Sequence, residues 1–293
     1  MASPDIDSEL QDRPYSGVAF KASHNAYIAE KPPLAVQLEW DQGTPSRGAC
    51  RGVELDLIQD ADSWRWSVAH GGSYSNGAEH QLSSYLGQLR QWSLAQNQDH
   101  GPILVHLELK NTALADGQFP AAIDAYIGDA LSGAHLYAAS TLLGDAPSLL
   151  AAARERHWPS LAALQGHFLF CITGGQVQRT ATYLTTSPEA RLCFCDRDIN
   201  DILDSGAALN AADEPNRLFY NFAAVRSASL PGRSGLPDGE SVILRAYEVQ
   251  DWETWGNCRN RGVNVLATDQ ILYAPFATVG PSPYAVAPGE GAG

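Results

Sequence analysis

Ile103-Leu104-Val105-His106-Leu107-Glu108-Leu109-Lys110 decides how the chain folds. The run is apolar and β-branched almost throughout, the pattern of a strand buried on both faces and so of a parallel sheet covered by helices. Seven more runs read the same way: Val18 to Ala22, Gly52 to Gln59, His167 to Thr173, Arg191 to Cys195, Arg217 to Phe222, Val242 to Val249 and Val263 to Thr268. Trp64 to Ala69 reads as an antiparallel arm returning from the second run. Gln81 to Gln96 sets Leu82, Tyr85, Leu86, Leu89, Trp92 and Leu94 near helical spacing, and Phe119 to Leu131 repeats the pattern. Ile199 to Leu203 and Asp251 to Arg259 read as shorter helices, the second with Asp251 as its N-cap, and Arg226 to Gly239 reads as a long loop. This alternation predicts an α/β fold, a TIM-type (β/α)8 barrel with some irregularity, whose active site lies at the C-terminal strand ends. The expected division is an N-terminal extension at 1–16, the barrel at 17–276, and a Gly/Pro/Ala-rich tail at 277–293, loosely ordered or draped on the surface.

Polar residues gather where such a barrel does its chemistry. His24 and Asn25 follow the first run, Glu54 and Asp56 sit in the second, His70 closes the arm, and Glu108 ends the third. Alternation puts Glu54 and Asp56 on one face, both inward. Buried carboxylates this close repel one another, and a divalent metal is the simplest remedy. Arg51 and Lys110 are the candidates for the alternative, an ordinary ion-pair partner. Carboxylates and an amide oxygen suit Ca²⁺, or Mg²⁺, better than zinc. Two nearby histidines supply groups that titrate near neutral pH.

Composition narrows the function classes. The 293 residues carry a formal net charge of −14, which opposes nucleic acid and lasting adhesion to an anionic membrane. Apolar residues make up 44% of the chain, enough for a sizeable core, yet no run approaches a membrane span. The first residues have neither the basic start nor the apolar middle of a signal peptide. Five cysteines, Cys50, Cys171, Cys193, Cys195 and Cys258, show no zinc spacing and read as buried thiols. Cys193 and Cys195 are read as facing opposite sides of their strand.

His24-Asn25, Glu54-Leu55-Asp56, His70-Gly71 and Leu107-Glu108 resemble, in order and spacing, the phosphoinositide-specific phospholipases C, most closely the Ca²⁺-dependent bacterial and fungal branch. Trp158-Pro159-Ser160-Leu161, Gln165 to Phe170, and Arg261-Gly262-Val263-Asn264 leading into Ala267-Thr268-Asp269 extend the resemblance over roughly residues 17 to 273. The resemblance implies cleavage of phosphatidylinositol-type lipid by attack of the inositol 2-hydroxyl, giving a 1,2-cyclic phosphate and diacylglycerol. It implies Ca²⁺ held by Asn25, Glu54, Asp56 and Glu108, with Mg²⁺ as the alternative ion. His24 would stabilise the phosphoryl group, His70 would protonate the leaving oxygen, and Glu54 would take the hydroxyl proton. Arg245 and Tyr247 resemble an Arg-x-Tyr pair that contacts phosphate and inositol, and Lys110 joins them as a substrate-binding candidate.

The fourth run lacks the lysines that the eukaryotic enzymes use for ring phosphates, so an unphosphorylated headgroup is expected. Trp64, Trp66, Tyr74, Trp252 and Trp255 are candidate interfacial anchors for a transient visit to a membrane surface. The family's habit implies an extracellular, secreted monomer, with the cytoplasm as the alternative. Two other readings stay open: a glycerophosphodiesterase- or phospholipase D-like hydrolase of another phosphodiester, soluble substrates included, and a non-catalytic binding barrel, which would need neither histidine.

Overall fold

Period-two alternation sorts the side chains of each buried run into two layers. In the computed structural model, which describes residues 5–41, 48–61, 63–70, 80–174 and 176–287, Ile103, Val105, Leu107 and Leu109 pack outward. They meet Leu82, Leu86 and Leu89 of the helix Leu82–Ala95 and Ile123 and Ile127 of the helix Phe119–Ala130. Leu104 joins the inner cluster, and His106 and Glu108 alternate with the outward set.

Eight parallel strands close into a barrel: β1 (Val18–Ser23), β2 (Gly52–Gln59), β3 (Ile103–Asn111), β4 (His167–Thr173), β5 (Phe194–Asp198), β6 (Phe219–Ala223), β7 (Ile243–Tyr247) and β8 (Val265–Thr268). Closure comes at β1, which pairs with β8 through Phe20 opposite Val265 and with β2 through Ala22 opposite Gly52. Gly52 is required at that seam, because a Cβ there would lie 2.8 Å from that of Ala22. The arm Trp66–Val68 runs antiparallel to β2, as its sequence suggests.

The lower barrel is filled with aromatic rings. Trp158 lies 5.7 Å from Tyr15, 5.2 Å from Phe194 and 6.0 Å from Phe219, centroid to centroid. This packed base leaves the polar residues to the upper end of the strands.

Several elements depart from expectation. The run ending at Cys195 is shifted: β5 spans Phe194–Asp198, so its polar half is strand rather than loop. The helices Leu34–Leu38, Ala139–Leu143, Leu149–Arg156 and Val177–Thr185 lack long apolar stripes and escaped notice. Between β6 and β7 the chain makes only the 3₁₀ turns Ala224–Ser229 and Arg233–Gly235, the irregularity allowed for. Cys193 and Cys195 share the outer layer, correcting the reading of opposite sides, because residues two apart on a strand face the same way. All five cysteines are free and buried.

The described part of the tail is not draped loosely. Tyr284–Val286 pairs antiparallel with β1, and the buried Tyr284 hydroxyl donates to the Pro102 carbonyl at 2.6 Å. The described N-terminal residues also pack: Ile6 and Leu10 are buried, and Asp5 pairs with Arg51. Among the described residues no helix is long and apolar enough to cross a membrane.

Candidate active site

The upper ends of β2, β3 and β4 set Asp56 opposite Glu108 and Glu108 opposite Thr173. One carboxylate oxygen each from Glu54, Asp56 and Glu108 lies within 4.8 Å of the others. Gly174, at φ 103°, makes room for this crowding, since a Cβ there would stand 2.9 Å from Glu108 Cγ. The turn after β1 brings Asn25 to the same place. With φ at 50°, a conformation Asn tolerates better than most residues, its N–H donates to Glu54 Oε2 at 3.2 Å. Tyr27 Oη donates to Asn25 Oδ1 at 3.3 Å.

Cations offset part of the negative charge. Lys110 Nζ lies 2.6 Å from Glu108 Oε1 and 3.3 Å from Asp56 Oδ2, and Arg245 Nη2 lies 2.9 Å from Glu54 Oε2. Lys110 is thus the ion-pair partner that Arg51, at the far end of the barrel with Asp5, is not. Ion pairing therefore stands beside a divalent metal as a remedy for the repulsion, although two cations against three carboxylates leave the set short of balance. Asp56 shows the remaining strain. Burial, then repulsion from Glu108 and Glu54, pushes its carboxyl up to about 6, and its buried Oδ1 has no hydrogen-bond partner. An unserved buried carboxylate oxygen in an all-oxygen set is what a hard cation would satisfy, so these residues fit Ca²⁺.

The histidines flank the carboxylates. His70 Nδ1 lies 2.6 Å from Asp56 Oδ2, with the imidazole partly exposed. His24 Nδ1 lies 3.2 Å from Asp269 Oδ1, and its Nε2 is 3.7 Å from Glu54 Oε2. Burial opposes a proton on His24, but the Asp269 hydrogen bond and the Glu54 charge outweigh it, and its pKa is raised. Asp269 is itself held by Lys31 Nζ at 2.8 Å and by Gln250, and its pKa is lowered because the His24 hydrogen bond and Lys31 overcome its burial. For Glu54, burial is outweighed by Arg245 and His24, and its pKa is lowered.

Tyr247 stacks beside His24, with centroids 6.1 Å apart and planes 19° from parallel, and Arg245 Cζ lies 5.9 Å from its ring. These groups line one cleft of about 900 Å³, within the size range of small-molecule sites. His24, Asn25, Glu54, His70, Glu108, Lys110, Arg245 and Tyr247 all face it, with Asp56 buried at its floor. Lys31, Thr173, Asp196, Asn221 and Gln250 were missed. Asp269 could have been found, since it follows the β8 run by the same strand-end logic as Glu108. Of the proposed anchors, Trp64 and Trp252 are exposed, Trp66 and Trp255 are buried, and Tyr74 lies outside the described residues.

A barrel with carboxylates and histidines at its mouth is equipped for metal-assisted acid–base chemistry. The family profile for Ca²⁺-dependent phosphoinositide phospholipase C matches residues 72–224, just over half of the chain, and the protein belongs to that family. It is a homologue of the phosphatidylinositol phospholipases C, which are phosphodiesterases. Glu108 and Lys110 fall inside the matched stretch, while the remaining predicted site residues lie outside it. No protein among the curated sequences matches significantly. The barrel resembles that of a calcium-dependent phosphoinositol-specific phospholipase C from Pseudomonas sp., with a TM-score of 0.74, 19% identity, and 98% of this chain and 99% of that one covered. A Ca²⁺-dependent phosphatidylinositol-specific phospholipase C from Streptomyces antibioticus aligns at 0.67 with 20% identity over 89% of this chain and 98% of the other. PLC21 of L. pealei aligns at 0.59 with 13% identity over 95% of this chain and 38% of its own. At such identities these likenesses speak for the fold.

Proposed function

We propose that the protein cleaves phosphatidylinositol-type phospholipid by phospholipase C chemistry, the headgroup's own 2-hydroxyl attacking phosphorus. The observation that supports this most is the pairing of two carboxylate-held histidines with a three-carboxylate oxygen set inside one cleft. His24, steadied by Asp269 and biased towards its charged form, donates to an oxygen of the transferring phosphoryl group. Glu54 accepts the proton of the attacking hydroxyl. Because Arg245 and His24 lower its pKa, Glu54 is a modest base and depends on an acidified hydroxyl. Calcium bound by Asn25, Glu54, Asp56 and Glu108 would acidify that hydroxyl and offset phosphoryl charge. His70, oriented by Asp56, protonates the departing diacylglycerol oxygen. Arg245 and Tyr247 hold the phosphate and the inositol ring. Lys110, already spanning Asp56 and Glu108, acts chiefly as a counter-charge that yields when the dication binds.

Exposed Trp64 follows β2 and exposed Trp252 follows β7, both on the active-site end of the barrel. They would seat the cleft on a lipid surface by apolar contact, as a chain of net charge −14 requires. A calcium site of this kind suits the extracellular side, where the ion is abundant. Phosphorus NMR of the products from phosphatidylinositol, with calcium removed and restored, is the test. A cyclic phosphate that forms only with the metal supports the reading, and direct release of a monoester or phosphatidic acid defeats it in favour of a glycerophosphodiesterase- or phospholipase D-like reaction.

A further inference from the structure

The wall of the cleft built by β4 to β7 carries a hydrogen-bond chain with a single polarity. Arg245 Nη1 donates to Asn221 Oδ1 at 2.8 Å, Asn221 Nδ2 donates to Thr173 Oγ1 at 3.3 Å, and Thr173 Oγ1 donates to Asp196 Oδ2. Every member is buried, and the chain begins on the guanidinium that grips Glu54. Bonds aligned in this way reinforce one another and fix each side chain in one rotamer. The series ends on Asp196, which lines the cleft and receives no other side-chain donor among the described residues. A carboxylate has room for about four hydrogen bonds, so its remaining capacity faces the substrate.

We propose that Asp196 is a specificity-determining residue of this cleft, taking a hydroxyl of the substrate's polyol ring and shutting out a phosphate at that ring position. The assignment rests on the phosphatidylinositol reading above. Its surroundings carry both halves of it. Asp198 and Asp201 line the same wall, so a ring phosphate there meets negative charge. Of the nearby guanidiniums, Arg217 is committed to Glu214, Thr180 and the Asp196 carbonyl, and Arg197 lies 3.1 Å from Glu214 with its Nη1 unpartnered. Burial pushes the Asp196 carboxyl up to about 7, so it can either accept from or donate to a hydroxyl.

The test is steady-state turnover of phosphatidylinositol and its three monophosphates in identical mixed micelles at fixed calcium, for the unmodified enzyme and Asp196→Asn. The unmodified enzyme should favour the unphosphorylated lipid. The near-isosteric variant should lose about tenfold to a hundredfold in kcat/KM on phosphatidylinositol, mainly through KM, as loss of a buried hydrogen bond to the substrate does. It should also narrow the preference over at least one monophosphate by about tenfold, which a purely structural residue would not do. Unchanged KM and unchanged preference overturn the proposal. Inactivity of the unmodified enzyme on every inositol lipid instead defeats the underlying functional reading, and the proposal with it. Should the variant not fold, lipids lacking one ring hydroxyl at a time decide the matter on the unmodified enzyme. A steep loss at one position other than the attacking and esterified ones supports Asp196, and equal tolerance at all of them refutes it.

Discussion

The two ends of this barrel balance buried charge in opposite ways. At the base, Asn264 uses its whole side chain: Oδ1 accepts from Arg233 Nη1 at 3.0 Å and Leu244 N at 2.9 Å, and Nδ2 donates to the carbonyls of Ser16 at 2.7 Å and Val18 at 2.8 Å. Asp5 and Arg51 balance one another's charge there, while Arg51 Nε and the buried Tyr15 hydroxyl have no partner. At the mouth, three carboxylates crowd together, and a buried oxygen of Asp56 has no partner. Balanced charges at one end serve folding, and like charges crowded at the other mark where a cation fits. The lesson is that burial alone does not separate structural from functional polar residues. The balance of charge around them does.

The sharpest way to break this contrast is at the mouth. His70→Ala should lower turnover about 10²- to 10⁴-fold while leaving thermal unfolding nearly unchanged, because the imidazole is partly exposed. Full activity in a phosphatidylinositol assay would end its role as an acid. The base should answer in the opposite sense. Asn264→Ala strands several buried partners and should cost about 3 kcal/mol in denaturant unfolding, with activity per folded molecule preserved.

Ligand addition gives a slightly smaller effect. Calcium at a hundred times its Kd should stabilise the native state by about 2.7 kcal/mol, seen as a rise in Tm, and Glu108→Gln should remove most of that gain. If the rise persists in the variant, the ion sits elsewhere. A pH series refines the same point. Asp56 titrates near 6 when folded and about 3.9 when unfolded, so the folded state holds its proton more tightly. Without metal, this group therefore costs stability above about 6, and the cost fades as pH falls towards 4. Calcium competes with that proton, so titration calorimetry should find weaker binding at pH 5.5 than at 7.5. The smallest expected change is at the rim. Trp64→Ala or Trp252→Ala should reduce vesicle binding several-fold and leave turnover of a soluble inositol phosphodiester alone. Equal losses on both substrates would make these residues packing groups instead.

Much of this was legible in the chain itself. β2, β4 and the arm stand where their apolar runs put them, and the strand-end residues His24, Glu54, His70 and Glu108 meet in one cleft as barrel geometry requires. Asp251 caps its helix with a reciprocal Thr254 bond, as its position suggested. What escaped had a common cause. Asp196 was missed because β5 turns polar halfway, and a strand whose upper half faces a wet cleft loses the apolar signature used to find it. Lys31 acts through Asp269, more than two hundred residues away, and Gln250 and Asn221 act through partners on other elements, contacts that no local pattern announces. Short helices such as Leu34–Leu38 depend on tertiary contacts and not on their own periodicity.

The Tyr284 hydroxyl, reaching across to the Pro102 carbonyl while its strand zips onto β1, makes the closing segment a hoop around the stave ends. Clipping the chain before that tyrosine should therefore loosen the barrel from beneath. Amide exchange would quicken first along β1 and around Pro102, and the catalytic rim would be the last place to register the cut.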